Sequence, residues 1–157
     1  MIKPRIAGHP LHIILAHFPS AFYPMSVICA SVYYFTGNII CAHVAVYTML
    51  AGTATGWMTI LFGLWESWFV SINETKVVTT IFWHASFNGV ITILFTIWSV
   101  KTWNYYPEII KDSLSLMIIK WAVILLLVAG NFLGGKLLLK YHVGLPEASA
   151  PSNRNKT

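Results

Sequence analysis

The run LSLMIIKWAVILLLVAGNFLGGKLLLK at residues 114–140 decides the fold class of this chain. It is long enough to cross a bilayer, because a transmembrane α-helix needs roughly 20 mostly apolar residues. Three similar apolar stretches precede it, and we predict them as helices over residues 11–35, 39–64 and 76–100. The sequence therefore predicts an all-α fold, an integral membrane four-helix up-down-up-down bundle, occupying residues 1–145.

The composition agrees with lipid as the solvent. Hydrophobic residues make up 57% of the 157 residues and charged residues only 10%, whereas a soluble protein averages about 25% charged residues. Four spans leave no room for a soluble catalytic domain, and the polar stretch 146–157 is predicted to be a disordered tail. No Gly-x-Ser-x-Gly, His-Glu-x-x-His or phosphate-loop motif occurs, so nothing indicates a hydrolase.

The basic residues are unevenly divided between the two ends of the predicted bundle. Four spans place both termini and the loop between helices 2 and 3 at one end, which we call the terminal side. That side carries seven of the ten basic residues: Lys3, Arg5, Lys76, Lys136, Lys140, Arg154 and Lys156. The other side carries Lys101, Lys111 and Lys120. Because basic residues favour the cytoplasmic side, we expect a multi-pass protein of a bacterial inner membrane, or another energy-transducing membrane, with both termini cytoplasmic.

Two histidines lie at matching depth on helices 1 and 3. His17 is about one and a half turns into helix 1 and His84 about two turns into helix 3, so both rings should sit roughly 10 Å below the terminal side. In an up-down-up-down bundle, these helices face each other diagonally across the core. Two imidazoles at equal depth can be the axial pair of a six-coordinate haem iron. We therefore predict a haem b held by His17 and His84.

Glycines four residues apart occur on the other diagonal pair of helices. Gly52 and Gly56 share a face of helix 2, and Gly130 and Gly134 share a face of helix 4. They could receive the edges of the haem, because directly packed helices approach to about 8–10 Å and leave no room for a macrocycle. Alternatively, the Gly-x-x-x-Gly spacing serves only close packing of transmembrane helices.

Three further histidines belong nearer the surface of the terminal side. His9 precedes a proline and is biased away from helical backbone, His12 falls in the first turn of helix 1, and His142 follows helix 4. One interpretation makes His12 and His142 ligands of a second metal or a second haem. The alternative makes all three interfacial hydrogen-bond donors to haem propionates or lipid headgroups.

Other intramembrane polar residues could assist a cofactor. Asn88 lies one turn beyond His84 and could orient its imidazole through the second ring nitrogen. Glu66, at the terminal-side end of helix 2, could relay a proton to a quinone headgroup or could simply be a solvated interfacial charge. His43, near the opposite side, is read as structural.

The motifs GHPLH at residues 8–12 and HFP at residues 17–19 resemble the signature of an uncharacterised family of bacterial four-helix membrane proteins. Three further segments are similar to that family: the glycine pattern of 52–63, Trp83-His84, and the glycine and histidine pattern of 134–144. The resemblance touches all four helices and implies no established activity. Some members are joined to Rieske-type iron–sulfur domains, which implies a link to membrane electron transfer, here with separate subunits.

The function predicted from these residues is that of a small b-type cytochrome-like electron-transfer subunit, with quinone as a further ligand that could bind. Its partners would be other membrane or redox subunits and the lipid bilayer, and no nucleic acid, because its charges belong to ends and loops. Two alternatives stay open. One is a cofactor-free structural subunit of a larger complex, and the other is a membrane protein that handles metal through His9, His12 and His142.

Overall fold

A computed structural model describes residues 5–6, 9–68 and 74–143. Its helices are α1 (Leu11–Thr36), α2 (Ile39–Ser67), α3 (Thr75–Trp103) and α4 (Leu114–Leu139). All four are long and apolar enough to cross a membrane, which confirms the all-α four-helix membrane bundle. The tail 146–157, predicted to be disordered, lies outside the described residues.

A short hairpin that the sequence did not predict precedes the bundle. Strands β1 (Arg5–Ile6) and β2 (His9–Pro10) pair antiparallel, with Ile6 opposite His9. The proline at the end of β2 cannot donate a backbone hydrogen bond, which suits the position just before the first helical turn. The hairpin therefore leads directly into α1 and leaves His9 outside the helix, as Pro10 predicted.

The helix ends follow local signals in the sequence. Gly37 ends α1 in a left-handed conformation (φ 72°), and its N–H bonds to the carbonyl of Tyr33. Asn38 and Ser113 cap α2 and α4 through their side-chain oxygens. Helices α2 and α3 run up to three residues beyond the predicted ends, through Ser67 and Trp103. Tryptophan-rich interfacial segments can continue a helix beyond the hydrocarbon core.

Sequence neighbours are spatial neighbours in the bundle. Helix α1 packs mainly on α2 and α3 mainly on α4, while α2–α3 and α1–α4 contacts close the ring. This leaves α1–α3 and α2–α4 as the diagonals, as the up-down-up-down topology requires. The central cluster of buried side chains draws on all four helices and comprises Tyr23, Val27, Met49, Ile91, Phe95, Val123, Ile124 and Leu127.

A side-chain hydrogen bond ties each pair of neighbouring helices. Such bonds matter in lipid, where an unsatisfied polar group finds no water. The four contacts, in order around the ring, are His12–Glu66, Trp57–Thr96, His84–Gly130 and Asn131–Ser20. Two of the four involve histidine, and these two define the candidate functional site.

Candidate functional site

The first component of the site is an ion pair between the beginning of α1 and the end of α2. These helices form an antiparallel hairpin, so the first turn of one lies beside the last turn of the other. His12 donates a hydrogen bond from Nδ1 to Oε2 of Glu66, and the two side chains are 29% and 13% exposed. Glu66 is therefore largely buried and paired, not the solvated interfacial charge that the sequence left as an alternative.

The second oxygen of this carboxylate is the most unusual atom of the site. Oε1 of Glu66 is buried and has no hydrogen-bond partner among the described residues. Burying an oxygen acceptor without a donor costs on the order of 1–3 kcal/mol, and more when the group is charged. The oxygen is thus free to accept a hydrogen bond from a donor outside the described part of the chain.

The second component is His84 on α3. Its Nδ1 lies 2.9 Å from the carbonyl oxygen of Gly130, and because a carbonyl only accepts, this nitrogen carries the proton. Nε2 of the neutral ring is then an acceptor, and it makes no hydrogen bond within the described part of the chain. The Gly130 carbonyl thus orients the ring, while the Asn88 amide donates to the carbonyl oxygen of His84 at 2.9 Å and lies 3.4 Å from its Nδ1.

His12 and His84 lie within electrostatic range of each other. We call His12, Glu66 and His84 the terminal-side cluster. Its members come from three helices and from both helical hairpins. No group of three or more His, Cys, Asp or Glu residues is placed to hold a metal ion in residues 5–6, 9–68 and 74–143. The cluster thus consists of two imidazoles and one carboxylate, and all three can take part in hydrogen bonds.

The structure does not bring together the histidine pair predicted to hold haem. His17 lies on the exposed face of α1, where its Nδ1 donates to the carbonyl oxygen of Ile13 at 2.8 Å. The reason is angular, since five residues separate it from the inward-facing His12 and turn it about 140° around the helix. The rise per residue predicts the depth of a ring but does not fix its direction.

The glycine faces receive side chains of the protein. A Cβ at Gly52 would lie 2.8 Å from Cδ1 of Tyr23, and a Cβ at Gly56 would lie 2.7 Å from the hydroxyl of Tyr23. On α4, a Cβ at Gly134 would lie 2.8 Å from Cε1 of His84. The missing side chains of these glycines therefore leave space inside the bundle for the rings of Tyr23 and His84. A haem edge at either position would require one of these rings to move, so the predicted haem seat does not fit the described arrangement.

The remaining glycine of the motif, Gly130, faces Asn88. A Cβ there would lie 3.0 Å from the Asn88 amide nitrogen. Gly130 therefore has two functions: its missing side chain admits Asn88, and its carbonyl holds His84. This backbone role cannot be inferred from the Gly-x-x-x-Gly spacing.

The other histidines stay at the periphery. His9 in β2 and His142 after α4 are exposed, and neither side chain has a hydrogen bond or ion pair within the described ranges. No contact joins His12 and His142, the pair that one interpretation made ligands of a second metal or haem, within the described residues, and Nδ1 of His12 bonds to Glu66. His142 adopts a left-handed backbone conformation with φ 53°. His43 packs edge-on against Tyr106, in keeping with the structural role expected of it.

A model of a protein family matches residues 8–147 of the chain, and the family is described as predicted membrane protein (DUF2231). The chain belongs to this family. The match covers all four helices and the whole terminal-side cluster, and DUF2231 agrees with the uncharacterised membrane family that the opening motif indicated. No curated protein and no solved structure matches the chain. Membership in DUF2231 therefore places the chain in a membrane but assigns no activity to it.

Two polar features of the bundle were missed at the sequence level. Tyr23 is completely buried and its hydroxyl makes no hydrogen bond in the described structure. Lys120, counted as an interfacial charge, is 7% exposed and pairs with Asp112. Sequence features could have revealed both groups. Tyr23 lies far from either end of a predicted span, and Lys120 follows Asp112 by two helical turns.

Proposed function

We propose that this DUF2231 protein is a small subunit of a membrane electron-transfer complex and that its terminal-side cluster binds the headgroup of a quinol. One observation carries the proposal: the buried Oε1 of Glu66, which has no hydrogen-bond donor among residues 5–6, 9–68 and 74–143. A quinol presents hydroxyl donors in an apolar molecule that already resides in the membrane. A hydroxyl bonded to this oxygen would satisfy it without bringing a further charge into the bundle.

The cluster supplies two acceptors for the two hydroxyls of a quinol. One is Oε1 of Glu66 and the other is Nε2 of His84, which is the acceptor atom of the neutral ring when Nδ1 donates to Gly130. His12 holds the carboxylate in place by its bond to Oε2. When the quinol gives up electrons to a redox centre of a partner subunit, Glu66 and His84 are the groups that would accept its protons.

The surroundings suit an amphipathic ligand with a long tail. Leu61, Leu64 and Trp65 on the last turns of α2 are exposed on the outer surface of the bundle. An isoprenoid tail can therefore stay in the lipid while its headgroup enters the end of the bundle. The seven-to-three division of basic residues supports our expectation that this end lies at the cytoplasmic face of a bacterial inner membrane.

Equilibrium binding of a short-chain quinol tests the proposal. Decylubiquinol is titrated into the detergent-solubilised protein, and quenching of tryptophan fluorescence gives the Kd. We expect Glu66→Gln, which keeps the shape but replaces one acceptor by a donor, to weaken binding at least tenfold, equivalent to about 1.4 kcal/mol. Glu74→Gln is the matched control, because Glu74 is exposed at the start of α3 on the same side. Equal Kd values for the two variants, or no binding by the wild type, would disprove quinol recognition.

A b-type haem is the second candidate, favoured by the histidine tautomers. His84 and His17 both commit Nδ1 to a backbone carbonyl, which leaves Nε2 as the free ligand atom. Because His17 faces outward, the second axial ligand would be His12, which lies within electrostatic range of His84. The haem would supply one-electron transfer, and Glu66 would fix the orientation of the His12 ring, as carboxylates do for metal-bound histidines.

A further inference from the structure

We propose that a track of buried hydroxyl groups conducts protons through the bundle, from the Lys120–Asp112 pair to the terminal-side cluster. The inference goes beyond quinol binding. It rests on the proposed function in one respect only, namely that the proton carried by the track is exchanged with a quinol bound at the cluster. The track consists of the hydroxyl groups of Thr92, Tyr23, Thr53 and Ser99, with bridging water beside the Asn88 amide completing it towards His84, and it joins two ends that carry titratable groups.

One face of α3 supplies the backbone of the track. His84, Asn88, Thr92 and Ser99 follow one another at intervals of four, four and seven residues, which keeps them on one side of a helix. Thr92 and Ser99 are 3% and 4% exposed, so this polar face is directed into the bundle and away from lipid. Polar residues inside a membrane protein are costly, and they commonly mark paths of ions or protons.

The second segment crosses from α3 to α2. The hydroxyl oxygens of Thr53 and Ser99 lie 3.0 Å apart and form a hydrogen bond between the helices. The Thr53 hydroxyl donates to the carbonyl oxygen of Met49 at 2.9 Å, so in this arrangement the Ser99 hydroxyl donates to Thr53. Each hydroxyl can accept one proton and donate another, so this pair can pass a proton along by rotating its O–H bonds.

Tyr23 fills the interval between Thr92 and Thr53. Its hydroxyl and the Thr92 hydroxyl lie 2.7 Å and 3.2 Å from one point, the position of a Cβ on Gly56. The Tyr23 hydroxyl is nevertheless buried with no hydrogen-bond partner among the described residues. An unpartnered hydroxyl beside two others is a place where an ordered water molecule gains several hydrogen bonds. The unpartnered hydroxyl is an observation independent of the hydrogen bonds described above, and a role of Tyr23 in packing alone does not explain it.

The far end of the track is an ion pair. Nζ of Lys120 lies 2.5 Å from Oδ2 of Asp112 and over the ring of Trp98, the residue next to Ser99. Asp112 precedes α4 and is partly exposed, so protons can reach it from water. The buried ammonium repels alkali cations that would enter here. A proton, in contrast, crosses by exchange of O–H bonds and needs no open pore.

The transfer is balanced at each step. A proton enters at Asp112, each hydroxyl or bridging water donates one proton forward and receives one from behind, and one proton arrives at Glu66 or His84. Only O–H and N–H bonds form and break, and no oxidant or reductant is needed. One positive charge therefore crosses the membrane for each proton that moves.

Proton flux into liposomes tests the track. The full-length protein is reconstituted with pyranine inside the vesicles, and a potassium gradient with valinomycin drives proton entry. We expect wild-type vesicles to acidify at least tenfold faster than protein-free vesicles. Tyr23→Phe, which removes one oxygen and keeps the ring, should lower the protein-dependent flux at least tenfold, and Thr53→Val should do the same. The matched controls are Tyr47→Phe and Thr79→Val, because both residues are exposed and lie off the track.

Three results would overturn the track. They are a wild-type flux equal to that of protein-free vesicles, a Tyr23→Phe flux equal to that of Tyr47→Phe, and sodium entry as fast as proton entry. Decylubiquinol titration of the same preparations shows whether Tyr23→Phe is folded. It also separates the two proposals: quinol binding without proton flux refutes the track alone, whereas flux without quinol binding refutes the proposed function alone.

Discussion

Tyr23 of α1 and Phe95 of α3 stack with ring centroids 3.9 Å apart and 18° between their planes. This stack joins the two diagonal helices at the centre of the bundle. Gly52 and Gly56 make it feasible, because any side chain on that face of α2 would occupy the space of the tyrosine ring. The interior is thus closed at its centre by an aromatic pair, and the histidine and carboxylate groups lie between that pair and the terminal side.

Alanine substitutions of the glycines should separate tight positions from open ones. Gly56→Ala and Gly134→Ala would place a methyl group 2.7–2.8 Å from Tyr23 and His84, and we expect a loss of about 1–3 kcal/mol of stability. Gly89→Ala and Gly135→Ala meet nothing within 4 Å and should cost nothing. Thermal unfolding in detergent measures the difference. Equal Tm values for Gly56→Ala and Gly89→Ala would contradict the described position of Tyr23.

The division of basic residues predicts the topology. A reporter that is active only in the cytoplasm should be active when fused after residue 157 and inactive when inserted near Pro107. In the four-span topology the chain crosses the membrane once between these positions, through α4. A reporter active only outside the cytoplasm should give the opposite result. If both fusions report one compartment, the number of spans is wrong. If the two are exchanged, the orientation alone is wrong.

Under the haem candidate, single histidine substitutions distinguish the ligand pairs. We expect His84→Ala and His12→Ala to abolish low-spin b-type absorbance, and His17→Ala and His43→Ala to retain it, because only the first two rings face the cluster. Reduced-minus-oxidised spectra of protein from a haem-replete host provide the measurement. Loss of the spectrum in His17→Ala would restore the pairing predicted from the sequence. A wild type without haem absorbance would remove this candidate.

His142 offers a test of backbone strain. Its φ of 53° is uncommon for a residue with a Cβ, and the Val143 N–H bonds back to the carbonyl of Leu137 across it. His142→Gly should raise the stability by roughly 0.5–1 kcal/mol, since glycine adopts this conformation without steric cost. The rise in Tm should exceed that of His9→Gly, whose residue lies in extended backbone. A lower Tm for His142→Gly would show that the imidazole makes a stabilising contact.

The chain is also predicted to work with partners. Large apolar side chains cover its outer surface, among them Phe82 and Phe132 at 60% and 73% exposure. Aromatic groups of this size suit packing against other membrane polypeptides. Extraction from native membranes in mild detergent should therefore give a particle well above the 17.6 kDa of the chain plus its micelle, with redox polypeptides in fixed ratio. A monodisperse monomer that binds quinol would contradict the subunit assignment.

The architecture could be predicted from the sequence because it depends on length and hydropathy. Four runs of apolar residues specify four spans, and short connections specify antiparallel neighbours. The predicted end of the first helix at residue 35 lies next to its observed end at Thr36, where Gly37 follows, since glycine is favoured in the left-handed cap. These features are local, and each is visible within a few residues.

The candidate site was predicted only in part, because it depends on the rotation of helices about their axes. His84 was chosen for its depth and does face the interior, whereas His17 has a similar depth and faces outward. Glu66 was undervalued, since nothing in its neighbourhood along the chain indicates a partner 54 positions earlier. Rotation is set by packing between distant segments, and no periodic pattern in these almost uniformly apolar helices reveals it.

The closer packing of α1 with α2 and of α3 with α4 makes the molecule a pair of helical hairpins. His12–Glu66 lies within the first hairpin, and His84–Gly130 lies within the second. Each half can therefore enter the bilayer with these histidine contacts already formed, before it meets the other. The proposed quinol-binding cluster would then be completed only after docking, so a newly inserted chain would remain inert towards quinol until its halves had joined.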